Sequence, residues 1–241
     1  MMKTINSDFF DNKRNRKIPC AIYLPQEIKN GVNLVVFSPG YREQEKLKIK
    51  GPSYTNYSFL AEYFTNESYV FLSIQHDLLG DNDGLETIDP KVDQSKAREH
   101  LWKRGAENIK FCLQEVKKLH PEINIDKFII SGHSNGGDIA KYYANNNESK
   151  IDSIISLDGR RAPIKRGTNF KILMFEGSDT ALDSNVVPGG QRPQPGDKQE
   201  LEYILIKPKN VLHAQYCDDA SEEVKNKIYQ SIDFFLKNYG R

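Results

Sequence analysis

The sequence predicts one α/β domain spanning residues 1–241, built on a mostly parallel sheet with helices on both faces. Short apolar runs that read as buried strands alternate with helical patterns along the chain. With 241 residues there is material for one large core. No internal repeat and no linker divides it: the Pro/Gly-rich "VVPGGQRPQPGD" (186–197) has only one strand and one helix beyond it and reads as a long surface loop.

The elements follow in order. A first strand lies near Thr4–Phe10, and "KIPCAIYL" (17–24) alternates as a strand does. "NLVVFSPG" (33–40) is a buried strand running into a sharp turn. "YSFLAEYFTNE" (57–67) has Phe59, Leu60, Tyr63 and Phe64 at helical spacing, and "YVFLSIQH" (69–76) is again a strand. Residues 77–97, broken by Gly80, Gly84 and Pro90, form an irregular excursion. In 98–120, Leu101, Trp102, Ile109, Cys112, Leu113, Val116 and Leu119 share one helix face, and Pro121 stops the helix. Then come strand 127–130, helix 136–146, strands 151–159 and 171–177, and strand 203–208. A closing helix covers 221–239, with Ser221 as its cap.

Composition narrows the function classes. Hydrophobic residues make up 38% and charged residues 28%, the balance of a globular domain. A formal net charge of +1 gives no global attraction to nucleic acid or an anionic membrane, and Lys13, Arg14, Arg16 and Lys17 read as a solvated turn. No apolar run approaches the roughly 18 residues of a membrane span. "MMKTINSDFFDNKRN" lacks the apolar stretch of a secretory signal, so a cytoplasmic location is expected. Cys20, Cys112 and Cys217 are too few and scattered for a disulfide framework. With no CxxC, HExxH or clustered His/Cys spacing, neither metal nor cofactor is expected.

The chemistry centres on "GHSNGG" (132–137). Ser134 falls between an apolar strand and a helix near the middle of the predicted sheet, the setting of a nucleophile elbow. Such a turn strains the serine backbone and requires small residues two positions away on either side, as Gly132 and Gly136 are. The amides of the following helix favour negative charge at the site.

A serine hydroxyl needs a base to take its proton. Of the five histidines, His100 and His120 lie on the long helix as surface groups, and His133 packs beside the strand. His76 ends a strand. Only His213, in "NVLHAQY" after the last strand, follows both serine and acid in the chain order Ser, acid, His. For the acid, Asp179 after "KILMFEG" leads, with Asp183 and Asp158 as alternatives; all lie at or beyond strand C-termini, where open α/β sheets bind ligands.

With "FSPGY", "GHSNGG", "EGSD" and a late "LH", the sequence resembles the α/β-hydrolase superfamily. "SIQHDLLGD", "LWKRGAENIKF", "LDGRRAP" and "GSDTALDSNVVP" make it similar to compact bacterial hydrolases related to dienelactone hydrolases and platelet-activating-factor acetylhydrolases. The resemblance runs from about Lys17 to the end. It implies Ser134 as nucleophile, His213 as base, Asp179 as acid, and an oxyanion hole from the backbone N–H groups of Tyr41 and Asn135. Pro39-Gly40 stands where many relatives have His-Gly, but the donor belongs to Tyr41. "GSD" has one residue between Gly and Asp where many hydrolases have two, which keeps Asp183 in play. Dienelactone hydrolases carry cysteine at the elbow, and the serine here argues against their chemistry. No cap fits between "SIISLDG" and "KILMFEG", so any cover comes from 77–97 or 181–200. Tyr41, His76, Trp102 and Arg161 are candidates to line an open cleft.

The function implied is a serine ester hydrolase acting through an acyl-enzyme on a small or exposed acyl ester, with thioesters, amides and lactones open to the same chemistry. The alternative is a non-catalytic ligand-binding protein on this fold. A phosphate-binding loop is disfavoured, because GxxxxGK[ST] is absent and the glycines come late in the chain.

Overall fold

The computed structural model describes residues 2–165, 170–186 and 203–239. An N-terminal hairpin pairs β1 (Lys3–Asp11) antiparallel with β2 (Arg16–Leu24), Lys3 opposite Leu24. The remaining strands are β3 (Leu34–Ser38), β4 (Val70–Ile74), β5 (Phe128–His133), β6 (Ile151–Leu157), β7 (Lys171–Phe175) and β8 (Tyr203–Ile206). Together they make one eight-stranded sheet in the order β1-β2-β4-β3-β5-β6-β7-β8. From β4 through β8 every pairing is parallel, and β2 joins β4 antiparallel.

Every residue of β3, β4 and β5 is buried, which is why these segments read as continuous apolar runs. Alternate side chains enter different cores. Leu34, Val36, Leu72 and Ile130 pack with Leu101, Ile109, Val116, Ile139 and Tyr143 from α4 (Glu99–Leu119) and α5 (Asn135–Asn146). Val35, Phe37, Phe71 and Ile129 pack with Phe59, Leu60, Ile228, Ile232 and Phe235 from α2 (Ser58–Asn66) and α6 (Glu222–Tyr239). Each such side chain contributes about 1.5–3 kcal/mol by leaving water. At the start of α6, Ser221 Oγ accepts from the Val224 N–H at 3.4 Å, the predicted cap.

Three local expectations change. A short helix α1 (Gln44–Lys50) follows the Pro-Gly turn; it buries only Leu47, too little to leave an apolar period in the sequence. The excursion 77–97 contains a 3-10 turn at Leu85–Thr87 and the four-residue α3 (Gln94–Ala97). Leu119, expected on the buried face of the long helix, is 59% exposed because it falls in the last turn, beyond the sheet. β6 ends at Leu157 and β7 begins at Lys171, too short a connection for a cap domain. Of the stretch 186–197, only Val186 lies among the described residues, where it is buried. Among the described residues no helix is long and apolar enough to cross a membrane.

Candidate active site

Parallel strands all end at one edge of the sheet, and the chain delivers polar groups there from β3, β5, β6, β7 and the segment after β8. Ser134 joins β5 to α5 at φ 54° and ψ −125°, a backbone state that costs a non-glycine residue energy and persists only when its surroundings impose it. The adjoining glycines show what imposes it. A Cβ on Gly132 would overlap the Gly136 carbonyl, and one on Gly136 would overlap the carbonyls of Ser38 and Pro39. The first turn of α5 thus presses on the exit of β3, and a Cβ on Gly40 would lie 3.5 Å from Ser134 Cβ. Tyr41 follows Gly40. Among the described residues, neither the Ser134 hydroxyl nor the Tyr41 N–H makes a hydrogen bond.

His213 opens a 3-10 turn (His213–Gln215) after β8. Its Nδ1 lies 2.5 Å from Asp158 Oδ2; the Asp158 side chain is fully buried and that of His213 is 26% exposed. Asp158 also accepts from Thr180 Oγ1, at 3.0 and 2.9 Å to its two oxygens. Burial by itself would raise the Asp158 pKa, but the hydrogen bonds from His213 and Thr180, joined by the Gly177 N–H, outweigh it and hold the carboxyl below its ordinary value. The carboxylate is therefore charged at neutral pH and fixes the imidazole proton on Nδ1.

The ring partner of His213 is thus Asp158, one of the alternatives, and not Asp179. Asp179 Oδ1 accepts from the His213 backbone N–H at 2.7 Å, so it holds the loop and not the ring. Chain order favours Asp179, but sheet order decides. β6, which Asp158 directly follows, lies next to β5, which leads into the serine, whereas β7 is one strand further out. Asp183 is removed from the ring as well: it pairs with the Arg161 guanidinium, and its N–H donates to the Arg160 carbonyl at 3.0 Å.

The expected cleft residues divide. His76 is buried beneath the site; its Nε2 is 2.9 Å from Ser38 Oγ and its Nδ1 3.4 Å from Asn108 Nδ2. Burial, with Arg104 and Arg16 nearby, lowers its pKa to about 3, so it is neutral. Trp102 is also buried and donates its indole N–H to Asn135 Oδ1 at 3.1 Å, which fixes the residue after the serine. These two support the site from below, because strand ends and the long helix deliver them to the interior. Arg161 is part-exposed but engaged with Asp183. Tyr41 is part-exposed, and its hydroxyl donates to Glu86.

That last bond belongs to a set fastening segment 77–97 to residues 41–44. Gln44 donates to the Leu78 carbonyl at 3.0 Å and accepts from the Gly80 N–H at 2.7 Å. Arg104 bonds Asp77 at 3.0 Å and Asp83 at 2.5 Å from the other side. The segment is a tethered wall. Of the other expected cover, 181–200, residues 187–200 lie outside the described residues.

Sequence reasoning missed Thr180, Tyr57 and the role of His133. His133 Nδ1 is 2.9 Å from the Tyr57 hydroxyl, and its Nε2 is 2.9 Å from the His213 carbonyl oxygen. The histidine in "GHS" was the available signal. Nothing in the sequence marks Thr180 or Tyr57, whose partners lie on distant segments. At the opposite edge of the sheet, a cleft lined by Asn33, Tyr69, Lys127 and Asp152 contains no serine, cysteine or histidine. Among the described residues no group of three or more His, Cys, Asp or Glu side chains is placed to hold a metal ion.

No protein-family model and no curated protein matches the sequence. Solved structures do match over the full chain. A dienelactone hydrolase-like promiscuous phosphotriesterase from metagenomic libraries superposes with a TM-score of 0.65 at 14% identity, covering 99% of this chain and 98% of that one. An esterase from Rhizomucor miehei gives 0.63 at 9% identity, covering 100% and 84%. Thermogutta terrifontis esterase 2, phosphonylated by cyclosarin, gives 0.60 at 14% identity, covering 98% and 94%. The chain has the α/β-hydrolase fold.

Proposed function

We propose that this protein is a serine hydrolase of carboxylic esters, with Ser134 as nucleophile, His213 as general base and Asp158 as the acid that orients it. The observation that carries this reading is the buried Asp158 on His213 Nδ1, at the sheet edge where Ser134 stands in elbow geometry and where the residue before it, His133, bonds the His213 carbonyl. With its proton held on Nδ1, His213 presents Nε2 as the acceptor. Ser134 Oγ attacks the ester carbonyl while its proton passes to Nε2. The oxyanion is met by the N–H groups of Tyr41 and Asn135. The imidazolium returns its proton to the leaving alkoxide, and an acyl-enzyme remains. Water, activated by the same nitrogen, adds to that acyl group and releases the acid. The cycle uses no cofactor.

The β6–β7 connection is too short to hold a cap domain, which suits small or exposed acyl groups. Two of the structural neighbours are esterases, and one carries an organophosphonate, the class of reagent that reports an activated serine. The test is labelling by a fluorophosphonate probe and turnover of p-nitrophenyl acetate by wild type and Ser134→Ala. Wild type should do both and the variant neither. A folded wild type that does neither would overturn the reading and leave a ligand-binding protein on this fold.

A further inference from the structure

We propose that Tyr57 and His133 are positioning residues: a buried hydrogen-bonded bridge that sets the spacing of the oxyanion loop, the nucleophile and the base. This deepens the proposed function and rests on it. The bridge starts at the Gly40 N–H, which donates to the Tyr57 oxygen at 3.0 Å. The Tyr57 hydroxyl meets His133 Nδ1 at 2.9 Å, and His133 Nε2 meets the His213 carbonyl at 2.9 Å. It therefore joins the residue before Tyr41, the residue before Ser134, and His213 itself.

Only one placement of protons satisfies all these groups. The His213 carbonyl can only accept, so Nε2 carries the proton. A neutral ring then leaves Nδ1 as an acceptor, so the Tyr57 hydroxyl must donate to it. The Tyr57 oxygen retains a lone pair for the Gly40 N–H. His133 is 7% exposed and Tyr57 5%, so an unmatched partner could not turn to water. Burial, with His213 nearby, lowers the His133 pKa to about 3, consistent with a ring that stays neutral. Phe37, at 4.5 Å between ring centroids, packs on Tyr57 and limits its movement.

The bridge also completes the hold on His213. Its N–H is bound by Asp179, its Nδ1 by Asp158 and its carbonyl by His133. Two of these anchors come from β6 and the segment after β7, on one side. The third comes from the elbow, so among the described residues the bridge alone ties the base by hydrogen bonds to the strand that leads into the nucleophile.

Three variants separate the two ends. Tyr57→Phe removes the hydroxyl. His133→Asn places an oxygen where Nδ1 sits and loses the His213 end. His133→Gln places an amide nitrogen where Nε2 sits and loses the Tyr57 end. On p-nitrophenyl acetate, kcat should fall about tenfold in Tyr57→Phe and in His133→Gln, and further in His133→Asn, with KM within about twofold of wild type throughout. Nitrogen NMR of wild type should show His133 as the Nε2–H tautomer from pH 8 to 5, a readout that needs no turnover. That tautomer in a wild type without esterase activity would leave the bridge standing and remove the catalytic reading. An Nδ1–H tautomer would overturn the bridge. So would folded variants with wild-type kcat, or a raised KM with kcat unchanged, which would place the pair in the pocket instead. Should Tyr57→Phe fail to fold, the contrast between the two His133 variants and the tautomer still decide.

Discussion

Asp158 and Asp179 divide the support of His213 between ring and backbone: one carboxylate meets Nδ1 at 2.5 Å, the other the main-chain N–H at 2.7 Å. Replacing each by asparagine should separate the two tasks. Asp158→Asn removes the charge that stabilises the imidazolium and allows the wrong tautomer, so kcat should fall by about 10³–10⁴. Asp179→Asn retains an acceptor oxygen and should cost no more than about tenfold. Steady-state kinetics on p-nitrophenyl acetate decide it; a larger loss in Asp179→Asn would return the role of acid to that residue.

The same pair shows what a sequence carries and what it leaves out. Strand runs, the elbow glycines and the late histidine were legible because each depends on local periodicity, local sterics or chain order. The aspartate that meets the His213 ring was not, because two strands ending at one edge offer equivalent aspartates, and only the neighbour relation of β6 to β5 separates them. His76 and Trp102 were legible as residues near the site but not as buried ones. Their burial depends on distant partners, Ser38 and Asn108 for His76 and Asn135 for Trp102, that only the fold brings to them. Thr180 and Tyr57 gave no signal, since a hydroxyl acquires its role from a partner brought close by the fold.

Thr180→Val should weaken the acid without removing it. The lost hydroxyl is one of the groups that keep the Asp158 carboxyl charged against its burial. Its pKa should rise in the variant, and kcat should fall several-fold, more at pH 5 than at pH 8. A pH–rate profile parallel to wild type would show that Thr180 does not bear on the charge.

Among the described glycines, Gly136→Ala should be the most damaging change to alanine. The added Cβ would meet backbone carbonyls of Ser38 and Pro39, which cannot rotate away as a side chain could. A loss of more than about 3 kcal/mol of stability is expected, with the β3–α5 contact forced apart. Urea denaturation measures it; a variant within about 1 kcal/mol of wild type would mean that the elbow is not packed as described.

Acid should destabilise the fold through two buried histidines. Burial takes both His76 and His133 from an ordinary 6.5 to about 3. Between those values the unfolded chain binds a proton at each position and the folded chain does not. Each therefore contributes stability that is fully present above about pH 6.5 and declines by about 1.4 kcal/mol per pH unit as the pH falls toward 3. Asp77 works in the opposite direction. Its burial outweighs the Arg104 guanidinium 3.0 Å away and raises its pKa, so above its ordinary 3.8 the folded state holds the proton more readily and gains stability as the pH falls. Asp158, held low, adds a loss only as the pH drops through its unfolded value and below. These opposing contributions make the difference between proteins the sharper measurement. His133→Gln removes one proton-binding position from the unfolded chain. Its stability against pH, from urea midpoints between pH 6.5 and 4, should slope less steeply than wild type by about 1.4 kcal/mol per pH unit, whatever Asp77 contributes. Equal slopes would mean that His133 accepts a proton in the folded state.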